Sequence, residues 1–205
     1  MGLISAATTI FDGGSMSAGF GGSMTFIKKL TATNASTLSF VGGASGVVLD
    51  GTYKKYVFKF KDIHTDTDNG GFNFQCSIDA GSNYNVATTS TAFRAEHNEG
   101  DNDTTLAYRR DDNWDQGNGT AFQRIIDGTG NAADESGAGT LNIYNPSSTT
   151  FVKHWNVTSF NHHGADYEIN YYFAGFFNTT SAINAVRFST FSGTFDGDIC
   201  LYGIA

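Results

Sequence analysis

The sequence predicts an all-β protein: a sandwich or barrel of antiparallel strands preceded by a glycine-rich N-terminal arm. Three observations lead there. The 205 residues include 18 Phe and 9 Tyr, with abundant Thr, and these side chains favour a pleated, half-buried sheet. Apolar and polar residues alternate in many short runs, which is the period of a strand. Twenty-five glycines against one proline, with frequent Asn, supply tight turns between the runs.

Taken in order, residues 1–23 form the arm, with the glycine-rich run FDGGSMSAGFGGS at 11–23. It reads either as a flexible linker or as a docking arm whose apolar anchors are Phe11 and Phe20. The sandwich domain spans 24–205. Met24, Phe26 and Leu30 open the alternation, followed by Leu38 and Phe40. Tyr56, Phe58 and Phe60 share one face of a strand whose other face carries Lys59 and Lys61. Phe72, Phe74, Cys76 and Ile78 repeat the rhythm, and a short strand is expected at Thr105 to Arg109 within an otherwise polar stretch. Leu141 with Ile143, then Phe151, Trp155 and Val157, come next. Tyr167, Ile169, Tyr171 and Phe173 make the longest stripe, and Val186, Phe188, Ile199 and Leu201 complete the set. Turn signals such as Asp50-Gly51, Asn69-Gly70-Gly71 and Asp127-Gly128-Thr129-Gly130 separate these runs.

Composition narrows the function. The chain holds 12 basic and 20 acidic residues, a formal charge of −8, which disfavours binding a phosphate backbone. No segment approaches the roughly 18 uninterrupted apolar residues that a membrane-spanning helix needs. Cys76 and Cys200 make no disulfide framework and no CxxC zinc motif, and both are expected to be buried as small hydrophobes in a protein made in a reducing cytoplasm. Residues 1–10 lack the basic stretch of a secretory signal, so the matches to the glycosylation pattern, such as Asn34-Ala35-Ser36, are discounted.

Four segments carry a family resemblance: TYKKYVFKFKDIH at 52–64, NPSSTTFVKH at 145–154, GFFNTTSAIN at 175–184 and ICLYGI at 199–204. Together, in this order, they resemble structural proteins of marine tailed bacteriophages. The resemblance covers residues 24–204 and excludes the arm. It implies a virion protein with a jelly-roll-like β-sandwich, trimeric and displayed on the head or the tail, made in the host cytoplasm. It implies no enzyme and supplies no catalytic residues.

The residues that could carry chemistry each have a plainer account. Asp62, His64, Asp66 and Asp68 fall at every second position and could hold a divalent cation; Asp66-Thr67-Asp68-Asn69-Gly70 has the start of a calcium loop, but no bidentate acid follows. The plainer account is a solvated hairpin. Tyr108 and Trp114, in the polar stretch 96–120, could stack on a pyranose, against a plain exposed loop. His162 and His163, beside Asp166, point to opposite faces if extended and so chelate poorly. No GxSxG elbow and no internal repeat favours an enzyme.

The expected function is therefore non-enzymatic: a virion structural component, a head decoration or a fibre-like trimer of the tail, attached to other virion proteins through its arm. No cofactor is expected unless calcium binds at Asp62–Asp68. The alternative is a carbohydrate-binding adhesin that meets a host surface glycan through loops 96–120 and 161–166. Neither nucleic acid nor membrane is an expected partner.

Overall fold

The computed structural model describes residues 24–110 and 113–205, together with the backbone of three short strands near the N-terminus. These three, β1 (Leu3–Ser5), β2 (Thr8–Asp12) and β3 (Ser15–Met16), pair as a separate antiparallel sheet. The side chains of Phe11 and Phe20, the expected anchors, lie outside the described residues.

The rest is an all-β sandwich, with no helix among the described residues. The strands are β4 (Thr25–Ala35), β5 (Thr37–Val41), β6 (Lys55–Thr65), β7 (Gly70–Ser77), β8 (Thr88–Asn98), β9 (Thr104–Tyr108), β10 (Gly117–Gly119), β11 (Gln123–Thr129), β12 (Gly137–Tyr144), β13 (Lys153–His163), β14 (Tyr167–Phe177), β15 (Ala185–Thr190) and β16 (Phe195–Ile204). The large sheet runs β4-β16-β6-β12-β13-β14-β8-β9, with β10 continuing the β9 edge of β8. The small sheet runs β11-β7-β15-β5. Every pairing is antiparallel, and a single bridge, Thr129 to His163, joins β11 to β13 between the two sheets. The first strand of this body lies beside the last, with Thr25 opposite Gly203.

Aromatic rings fill the space between the sheets. Phe58 of β6 meets Phe188 of β15 at 5.6 Å, and Trp155 of β13 meets Phe74 of β7 edge-on at 5.1 Å. All eight residues expected to form the core (Tyr56, Phe58, Phe60, Phe72, Phe74, Ile169, Tyr171 and Phe173) are buried. Each such side chain contributes about 1.5–3 kcal/mol by leaving water. Two interior glycines make room for rings that cross their strands. A Cβ on Gly139 would stand 2.6 Å from Cζ of Phe60, and one on Gly175 would stand 2.5 Å from Cζ2 of Trp155.

Several expectations need correction. Met24 and Phe26 are exposed, because β4 is an edge strand whose outer side faces no second layer. Phe151 is 71% exposed, since it precedes β13 in a turn and is outside the alternation it seemed to join. Ile78 lies just past the end of β7 and is likewise exposed. Cys76 is buried as expected, but Cys200 is only half-buried, on the side of β16 opposite the buried Ile199 and Leu201.

Candidate functional site

The expected cation ligands do not converge. A bulge interrupts β6 at Lys61 and Asp62: Asp62 takes a positive φ of 53°, opposite the register shift at Gly197 of β16. The inward series is reset from Phe60 to Ile63 and Thr65, and Lys61 and Asp62 both face solvent. Each of the four side chains then has its own partner. Asp62 pairs with Lys61 at 2.8 Å, and the His64 ring lies 3.0 Å from the Ala132 carbonyl. Asp66 accepts from the Thr194 amide at 2.8 Å, and Asp68 accepts from the Asn69 amide at 3.0 Å. Among the described residues, no three His, Cys, Asp or Glu side chains could hold a metal ion together. His162 and His163 also diverge: His162 meets the Asp134 carbonyl at 3.2 Å, while the His163 ring packs over Gly128.

Tyr108 and Trp114 occupy different environments. Tyr108 is exposed on β9 and donates to Asp115 at 3.0 Å. Trp114 is 1% exposed and belongs to the core. Its ring stacks on Phe173 at 5.7 Å and 11° and lies 5.1 Å from Tyr171. The Arg109 and Arg124 guanidinium groups sit 5.1 and 5.6 Å from its centroid. No face is left for a sugar, so Trp114 braces the loop from inside. Beneath it, the Tyr171 hydroxyl donates to the Asp127 carbonyl at 2.9 Å. Burial raises the pKa of the Asp127 carboxyl, while Arg124, 3.3 Å away, opposes that rise.

Two surfaces stand out instead. The first is the outer face of the large sheet. The register aligns Thr140, Thr158, Tyr172, Phe93 and Tyr108 across β12-β13-β14-β8-β9, and aligns Ala138, Phe160, Asn170, Ala95 and Leu106 in the next row. Phe160, Tyr172, Phe93 and Leu106 are 44, 39, 45 and 76% exposed, and Phe93 stacks on Tyr172 at 4.9 Å and 16°. Small residues lie between them, and a depression of about 420 Å³ lined by Ala138, Thr140 and Tyr202 opens beside Phe160. Six of the seven lysines lie toward its β4–β6 end, at 28, 29, 54, 55, 59 and 61, whereas Glu99, Asp101 and Asp103 cluster at its β8–β9 end.

The second surface is the outer face of the small sheet with the loop after β9. An open depression of about 1100 Å³ is lined by Arg109, Arg110, Trp114, Asp115, Gln116 and Arg124. A neighbouring one of about 590 Å³ shares Arg124 and Asn113 with it and adds Arg187 and Phe191. Four of the five arginines of an acidic chain thus line this pair of depressions. The sequence reading missed this, because the four are contributed by separate strands and a loop.

No family model and no curated protein matches the chain. Among solved structures, a marine PL-14 alginate lyase from Aplysia kurodai aligns with a TM-score of 0.23 and 9% identity, covering 83% of this chain and 81% of that one. A likeness at that level supports no inference.

Proposed function

We propose that the protein is a non-catalytic structural component of a tailed-phage virion that works by packing against copies of itself and against other virion proteins. The observation that carries this reading is the outer face of the large sheet, where Phe93, Tyr172, Phe160 and Leu106 are exposed on neighbouring rows. Exposed apolar patches of this kind mark interaction surfaces. Asp62 and Asp198 pair with Lys61 and Lys29; the four other lysines at that end and the carboxylates at the far end suit a heterologous contact between copies. A closed ring of three, as the phage resemblance implies, uses contacts of that type.

Sedimentation equilibrium of the purified chain tests the reading. The wild-type protein is expected to associate into a trimer, and the double variant Phe93→Ser with Tyr172→Ser to be monomeric with an unchanged circular dichroism spectrum. A wild-type chain that stays monomeric at high protein concentration would exclude self-packing. The site in the particle is tested by locating the chain in an electron-microscopy map.

A second reading, a glycan-binding adhesin, is favoured by one further observation. Arginine-lined depressions open at the β9–β10 edge, next to Tyr108, and on the outer face of the small sheet.

A further inference from the structure

We infer that the trough on the small sheet binds an acidic polysaccharide, a chain bearing carboxylate or sulfate groups among its hydroxyls. The inference rests on the adhesin reading and specifies its ligand; it is separate from self-packing, which uses the outer face of the large sheet.

The charge distribution is the first argument. The chain is acidic overall, yet Arg109, Arg110 and Arg124 line the larger depression with a single described carboxylate, Asp115, which accepts from the Tyr108 hydroxyl; Arg124 and Arg187 line the neighbouring one, where no acid and no lysine takes part. Arginine presents a planar fork of donors that matches a carboxylate or sulfate edge with two parallel hydrogen bonds, whereas lysine acts as a point charge. The forks are held in place by stacking. Arg124 lies 4.6 Å from the Phe191 centroid as well as against Trp114, and Arg187 lies 3.8 Å over Tyr84 and donates to Ser39 at 2.9 Å. Positioned guanidinium groups lose less freedom on binding than mobile ones do.

The second argument is an acceptor without a donor. Gln116 is 6% exposed and lines the larger depression. Its Nε2 donates to the Ala121 carbonyl at 3.1 Å, but its Oε1 is buried with no hydrogen-bond partner. That oxygen stands over Gly119, where a Cβ would lie 2.5 Å from it. An unpaired buried carbonyl is costly, and since this oxygen has no exposed surface, a ligand hydroxyl satisfies it only when the Gln116 side chain turns outward into the depression.

The third argument is Phe191, 48% exposed at the rim of the smaller depression. Its ring rests on Gly71, where a Cβ would stand 2.0 Å from Cε1, so the missing side chain allows the ring to lie against the sheet. With Arg124 4.6 Å from its centroid and Gly71 against it, the ring presents an exposed apolar edge to a ligand rather than an open face. Guanidinium forks beside an apolar edge match a polymer that mixes anionic groups with C–H surface. A nucleic acid would present a denser line of phosphates to a chain whose net charge of −8 repels it.

Affinity electrophoresis of the full chain tests the inference in gels containing polygalacturonate, dextran sulfate, neutral dextran or a neutral galactan, with single-stranded DNA as competitor. The expected result is retardation by polygalacturonate, dextran sulfate or both, weakened by added salt. Arg110→Glu, at an exposed position, should weaken it about tenfold. Arg124→Lys, which keeps the charge and removes the fork, should weaken binding to the carboxylated polymer with the circular dichroism spectrum unchanged. Retardation by polygalacturonate alone identifies the carboxylate as the ligand, and by dextran sulfate alone the sulfate. Binding to a neutral polymer only would leave the adhesin reading standing and overturn this inference; binding to none would overturn both. Displacement by DNA at lower concentration than by either acidic polysaccharide, or full retention in Arg110→Glu, would also overturn it.

Discussion

The Phe188 ring of β15 lies parallel to that of Phe72 of β7, with 5.5 Å between centroids and 9° between planes. Both rings belong to the small sheet, and the pair faces Phe58 and Phe60 of the large sheet, which approach Phe188 at 5.6 and 6.4 Å. Phe40 and Phe74 complete the ring of neighbours at 6.3 and 6.5 Å. Phe188 is thus the point where the two sheets are held in register by side chains.

Phe188→Ala is expected to remove about 3–5 kcal/mol of stability, since the surrounding rings cannot all collapse into the cavity. Urea unfolding followed by tryptophan fluorescence measures this. Phe188→Leu, which keeps most of the volume, should cost well under half as much; equal losses would mean that the ring stack has no special weight.

Gly139→Ala and Gly175→Ala add a single methyl group, yet each is expected to destabilise. The new carbon would meet Phe60 or Trp155, and also a backbone carbonyl: Thr158 O at 2.7 Å in one case and Thr89 O at 2.7 Å in the other. Backbone cannot rotate aside, so overpacking of about 1–3 kcal/mol is expected. Thermal melts should place both variants below the wild type, in contrast to Gly117→Ala, whose Cβ meets nothing within 4 Å.

Trp114→Ala is expected to act on stability before it acts on any ligand. The ring packs on Tyr171 and Phe173 and carries two guanidinium groups, so its loss should cost about 3–5 kcal/mol and loosen the loop around it. Limited proteolysis between β9 and β11 should become faster. A variant of wild-type stability would show that this loop does not depend on Trp114.

Acid should weaken the edge where β4, β16 and β6 meet. Asp198 accepts from the Thr31 hydroxyl at 2.6 Å and pairs with Lys29 at 3.0 Å, which lowers its pKa from 3.8 to about 2. Asp79 is also lowered to about 2, first by Ser77 and then by Asn83. Because the folded pKa lies below the unfolded one, both carboxylates contribute stability above 3.8 that is lost as pH falls through about 2. Urea midpoints should therefore fall as pH drops below about 4, and Asp198→Asn should flatten that fall.

The sandwich was legible in the sequence wherever a strand has one face buried and one wet. Tyr56, Phe58 and Phe60 against Lys59 and Lys61 is such a case, and β6 turned out as read up to Lys61. The reading failed where the face was set by what lies opposite. Phe26 alternates correctly but has no layer above it, and Lys61 and Asp62 share the exposed side because a bulge resets the period. Trp114 sits in the most polar stretch of the chain, yet contacts from β14, more than fifty residues away, draw it into the core. The arginine cluster had only a partial local signature, the adjacent Arg109 and Arg110 in the loop 96–120. Residues 124 and 187 become neighbours only because β7 lies between β11 and β15. A usable clue was the segregation of the basic residues, with six lysines before residue 62 and all five arginines after residue 90.

The pairing of Thr25 with Gly203 places the entry and exit of the sandwich side by side on the same rim. A short peptide could therefore join the two ends without crossing the body, and new ends could be cut at the Asp101 turn on the far rim. Such a permuted chain should retain the same contacts between the two sheets. The same geometry dictates where cargo belongs: a domain fused after Ala205 would stand beside the start of β4, whereas one grafted at the Asp101 turn would stand on the far rim.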